Sequence, residues 1–145
     1  MRLLTAVAIL ALAAFAAGAA DDAKDAAKKL EGTYEVTEFL VGGKPDGKKD
    51  EVKSFEIKDG ELTIKLEKTK NETAKFTLDP SKKPAHIDVM PGGEKVPGIY
   101  EVKETDKGTE LTIAFSKGGK SDRPKDFKGL GEDEVVIKLF RKKAK

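Results

Sequence analysis

The chain has 145 residues, 28 Lys and Arg against 26 Asp and Glu for a net charge of +2, and no cysteine. That balance lacks the basic excess of a nucleic-acid binder and gives no general pull toward anionic membranes. The missing cysteine excludes a disulfide framework, a thiolate nucleophile, a Cys-held metal and a lipid tether on a cysteine.

The chain opens on Met1-Arg2 and an apolar run over 3–17, interrupted only by Thr5. Ala17-Gly18-Ala19-Ala20 then supplies small residues before Asp21-Asp22. This is the pattern of a secretory signal peptide over 1–20, to be set aside in fold reasoning. The run is too short to cross a bilayer comfortably and no second one follows, so no membrane span is expected. Removing 1–20 takes only Arg2 from the charged residues, leaving +1 (28 − 1 against 26). The expected product is exported, periplasmic or extracellular, and monomeric.

Residues 21–31 read as a helical lead-in. Asp21 or Asp22 caps it, Ala23, Ala26, Ala27 and Leu30 form a weak apolar stripe, and Gly32 ends it. From Gly32 to Lys145 the apolar period changes to two, which marks strands with one buried face. Tyr34 and Val36 alternate with Glu35 and Thr37, and Gly42-Gly43-Lys44-Pro45-Asp46-Gly47 turns the chain. Phe55 and Ile57 follow, then the hairpin signal Asp59-Gly60, then Leu62, Ile64 and Leu66. Ala74, Phe76 and Leu78 make the next strand, and Ile87 and Val89 resume after a Pro-rich break. Gly98-Ile99-Tyr100-Glu101-Val102 forms a sixth strand, with Pro97 placing its entry at an edge or bulge. Leu111, Ile113 and Phe115 form the seventh, and after a long loop the last strand runs over 135–141.

About eight short strands with short connections and no crossover helices predict an all-β antiparallel meander closing into a barrel. The expected organisation is 1–20 leader, 21–31 lead-in and 32–145 barrel domain.

Several pieces resemble an uncharacterised exported domain family known mainly from planctomycete bacteria. They are Leu30-Glu31-Gly32-Thr33-Tyr34, Leu78-Asp79-Pro80-Ser81-Lys82-Lys83-Pro84-Ala85-His86-Ile87-Asp88, Gly98-Ile99-Tyr100, and Arg123-Pro124 with Phe127. The resemblance implies a small exported all-β domain and brings no activity, cofactor or catalytic residue. Gly32-x-Tyr34 on the first strand and Arg141 on the last are also similar to the lipocalin-type (calycin) barrels, where an Arg packs over an aromatic ring at barrel closure. That likeness implies a structural role for Tyr34 and Arg141. The alternative makes Tyr34 a core aromatic and Arg141 part of a basic tail with Lys142, Lys143 and Lys145.

Chemistry-bearing clusters are sparse. His86 is the single histidine, two residues from Asp88 and so on the same strand face. A zinc site needs three or four ligands, and no spacing supplies the rest. Ser54, Ser81, Ser116 and Ser121 lie in no nucleophile-elbow context. No cofactor is expected, and a hydrolase is the least favoured function. The loop over 116–133 is the leading functional candidate because long ordered loops often carry function. It holds Lys117, Lys120, Arg123, Lys125 and Lys128, with Phe127 and Leu130 able to fold over a barrel mouth; the favoured alternative is that Arg123-Pro124 and Phe127 only pin a surface loop. The expectation is a non-enzymatic module binding a small amphipathic or anionic ligand at the mouth through Lys120, Arg123, Phe127 and Tyr100. The alternative is a cell-envelope structural or protein-interaction module, with Val136 or Phe140 as an exposed contact.

Overall fold

The computed structural model describes residues 22–116, 123–129 and 131–143; the leader-like segment 1–20, Lys120 and Leu130 lie outside the described residues. A short helix, α1, covers 22–30. Nine strands follow: β1 (Gly32–Val41), β2 (Lys44–Pro45), β3 (Val52–Lys58), β4 (Glu61–Leu66), β5 (Glu72–Asp79), β6 (Ala85–Met90), β7 (Val96–Glu104), β8 (Gly108–Ser116) and β9 (Glu134–Lys142). Apart from the two-residue β2, each strand pairs antiparallel with the next, and β1 pairs with β9. The result is a closed eight-stranded barrel, as the strand count and short turns predict.

β1 serves both neighbours in turn. Its residues 32–34 pair with 55–57 of β3, and residues 35–41 pair with 135–140 of β9. Within the β9-paired stretch the register slips at Thr37, whose Oγ1 donates to the Lys138 carbonyl at 3.1 Å. A bulge of this kind flips the inward parity. Tyr34 and Val36 face the core before it, and Phe39 and Val41 after it. Pro97 pairs with Asp88 of β6 but lies before the β7–β8 pairing starts at Gly98, so its missing N–H breaks no ladder on that side.

The barrel interior holds the main core, including Tyr34, Phe55, Ile57, Phe76, Ile87, Tyr100, Leu111, Ile113, Ile137 and Leu139. The outward positions between them carry charges such as Glu35, Lys65, Lys75, Glu101, Glu110 and Lys138. A lipid-facing barrel needs an apolar outer band instead. Glu56–Lys65 and Glu38–Lys138 ion pairs, both at 2.7 Å, lace this wetted wall and add little stability.

One end of the barrel is plugged by α1. Leu30 is buried and Ala26 and Ala27 pack on the core. Tyr34, with no exposed surface, donates its hydroxyl to the Leu30 carbonyl at 2.8 Å. Arg141 reaches inward from the end of β9, its guanidinium carbon 5.2 Å from the centre of the Tyr34 ring. It donates to the carbonyls of Glu31 and Lys29 and to Thr109 Oγ1, which in turn donates to Glu104 Oε2 at 2.9 Å. The last carbonyls of α1, which lack intrahelical partners, are thereby satisfied. Gly32 has φ of +143°, and a Cβ there would lie 2.6 Å from Arg141 Cδ. Glycine at 32 is what lets Arg141 cross to the ring.

Candidate functional site

The opposite end carries the β4–β5 turn, the Pro91–Gly93 turn and the β8–β9 loop, and there the interior is not filled. A cavity of about 190 Å³ opens at this end. Its exposure is graded. Phe55, Leu62, Ile113 and Ile137 are buried, Ile64, Ala74, Val89, Val96 and Phe115 are half-buried, and Glu72, Thr73 and Pro91 are exposed. That gradient fixes the direction in which the cavity opens. Its walls are apolar side chains because the inward register of every flanking strand is apolar. The exception is Glu72, the first inward position of β5 ahead of Ala74, Phe76 and Leu78. A dry apolar cavity of about 150 Å³ accepts a molecule the size of benzene, so this one admits a ring or a short alkyl group.

The described part of the β8–β9 loop does not cover this mouth. It lies on the outer wall, where Ile99, Ala114 and Val136 form a second, smaller cluster with Leu40 and Phe127 packed against it. Gly129, at φ of +64°, brings its backbone onto Val136, whose Cγ2 would sit 2.7 Å from a Cβ. Arg123 anchors the loop to β6 and β7. Its Nη1 donates to the Gly98 carbonyl at 2.8 Å, and its Nη2 lies 2.8 Å from Asp88 Oδ1. That oxygen is shut off from water and receives no well-angled hydrogen bond, so the link is an ion pair set by distance. Lys95 approaches the other Asp88 oxygen at 3.4 Å.

Arg123, Phe127 and Tyr100 are therefore not brought together. Arg123 and Phe127 pin a loop outside the β7 wall, while Tyr100 faces the interior and is buried. Burial first, and the Asp79 charge second, push the Tyr100 hydroxyl above the usual phenol range. Lys120 lies outside the described residues. Of the two residues offered as an exposed contact, Val136 is completely covered and Phe140 is half-buried.

His86 sits opposite Asp79 on the outer face of β5 and β6. Burial, then the Arg123 charge, lowers its pKa below 6.5 against the opposing pull of Asp79. Asp88 is engaged by Arg123 and Lys95, and Ser81 Oγ donates to Asp79 rather than to His86. These contacts do not make a serine–histidine relay. Among the described residues no group of three or more His, Cys, Asp or Glu could hold a metal ion.

The cavity itself has no signal in sequence patterning, because alternation predicts which side chains face inward and not whether they fill the space. The outer cluster does have one. Ile99-Tyr100, Ile113-Ala114-Phe115 and Val135-Val136-Ile137 are unbroken apolar runs within strands that otherwise alternate, and a strand covered on both faces reads that way. Comparison with protein-family models, with curated proteins and with solved structures returns no match for this chain.

Proposed function

We propose that the protein is an exported, non-enzymatic binding module that takes the apolar part of a small molecule into the open end of its barrel. The observation that carries this reading is the cavity of about 190 Å³, walled by half-buried aliphatic and aromatic groups at one end only. Closed eight-stranded barrels are wide enough to hold one small ligand, as lipocalins do. The similarity of Gly32-x-Tyr34 and Arg141 to that group supports the same reading. The leader-like segment supports export, as does the likeness to the planctomycete family.

The ligand is amphipathic or neutral rather than anionic. The case for an anion rested on the basic loop. Its Arg123 is neutralised by Asp88 on the outer wall, and the one charged group lining the cavity is acidic. The alternative, an envelope interaction module, has less support. Val136 is covered, and Val102 is the exposed large apolar side chain among the described residues.

Titration of the labelled protein with benzyl alcohol, followed by amide and methyl NMR shifts, tests the proposal. Shifts should concentrate on Ile64, Val89, Val96 and Phe115 and vanish in Ala74→Phe, which fills the cavity from the β5 side. Absence of shifts up to the solubility of the alcohol, or shifts unaffected by Ala74→Phe, would overturn it.

A further inference from the structure

We infer that the mouth selects for a positively charged head group, so that the occupant is a small amine-bearing amphiphile with its ring or alkyl tail in the barrel. This rests on the cavity reading above and adds the chemistry of the part left outside. Glu72 occupies the inward register of β5, where Ala74, Phe76 and Leu78 follow it into the core. Glu72 pairs with Ile64 of β4, and the half-buried side chains that line the cavity with it, Ile64, Ala74, Val89, Val96 and Phe115, are all apolar. A carboxylate in a ring of apolar side chains is not explained by packing. On the β4 side Glu72 pairs with Ile64, while β6 joins β5 only from Lys75 onward, so Glu72 stands at a short unpaired edge beside the cavity and its carboxylate is open to a guest.

Its neighbours do not satisfy it either. Thr73 Oγ1 bonds Thr63 across the β4–β5 pair. Among the described residues no ion pair or hydrogen bond engages the Glu72 carboxylate. It lines the cavity while remaining exposed. A tail seated between Ile64 and Val96 therefore leaves its head beside a free carboxylate. An ammonium there gains a charge-assisted hydrogen bond, a hydroxyl gains a weaker one, and a carboxylate is repelled. The cavity volume limits the tail to about the size of a benzene ring.

Three ligands that share one ring separate these terms: benzylamine, benzyl alcohol and benzoate, titrated at neutral pH and low salt by the same NMR readout. Benzylamine should bind about twofold to fivefold tighter than benzyl alcohol, the range of a solvent-exposed ion pair, and benzoate more weakly than either. In Glu72→Gln the preference for amine over alcohol should vanish, with the amine losing the larger share of its affinity. Added salt should shrink the amine preference in the wild type alone. If the alcohol binds at the cavity but the amine gains nothing, or if Glu72→Gln retains the preference, the head-group inference is wrong and the cavity reading stands. If the alcohol does not bind, both fall together.

Discussion

At the end where β1 begins, Tyr34 and Leu30 are almost fully buried, a helix lies across the opening, and Arg141 joins helix, ring and last strand. At the end where β1 finishes, Ile64, Val89 and Val96 stand half-exposed around empty space, and among the described residues no α-helix lies across it. The same strands build both ends, with the same alternation, so the difference lies in what caps them. One end spends an aromatic, an arginine, a glycine and a helix on closure. The other has no such plug among the described residues, its long loop lying on the outer wall where described, and leaves its apolar walls open. Packing and capping concentrate at the first end, and the cavity on which the proposed binding rests lies at the second.

The largest test of that contrast is a pair of truncations. Tyr34→Ala should lower unfolding free energy by about 3–5 kcal/mol in a denaturant titration, since it empties a packed site and frees the Leu30 carbonyl. Val96→Ala at the open end should cost less than about 1.5 kcal/mol, because a half-exposed side chain has less buried surface to lose. Equal losses would mean that the two ends are not different in kind.

The next test concerns the outer wall. Arg123→Met leaves Asp88 with Lys95 alone, and should cost about 1.5–3 kcal/mol, the range for hydrogen bonds to charged groups. Its effect should be local. Amide exchange and tryptic cleavage should rise at Lys125 and Lys128, while benzyl alcohol binding is kept. Loss of binding in this variant would place the loop in the site after all.

The smallest effect is expected with pH. His86 has a folded-state pKa below its ordinary 6.5. The unfolded chain therefore takes up the proton first, and stability should fall as pH drops through 6.5. In His86→Gln the denaturant midpoint should change less between pH 7.5 and 5. The plugged end responds at the other extreme. Burial raises the Tyr34 pKa above its ordinary 10.0, so its contribution is full below about pH 10 and declines above it. Tyr34→Phe should flatten that alkaline decline.

The barrel wall was legible because one face of most strands meets water and the other the core, which writes a period of two into Phe55-Glu56-Ile57 and Leu62-Thr63-Ile64-Lys65-Leu66. The eight strands and the helix fall where that pattern puts them. The Arg141 contact with Tyr34 was one of two readings, and the presence of Gly32 is what the close approach demands. Less was legible where long-range packing decides. The slip at Thr37 shows only as the changed spacing from Val36 to Phe39. The loop's position depends on Arg123 finding Asp88, 35 residues earlier in the chain, and no local pattern encodes that. The open cavity depends on how a dozen side chains share one volume.

The seam between β1 and β9 has a consequence for how the chain folds. Arg141 meets Glu31 across 110 residues of sequence, and the whole β1–β9 ladder is of similar span. Pairings of such separation carry a large loop-closure entropy before they return any stabilisation, so they form late and slowly. Until β9 arrives, the second half of β1 and all of β8 present unpaired edges rich in apolar residues, the kind of surface that recruits other chains. Protection during that interval falls to the charged residues set between them, Glu35, Glu38 and Glu110. The alternation that shapes the finished wall thus also guards the unfinished one.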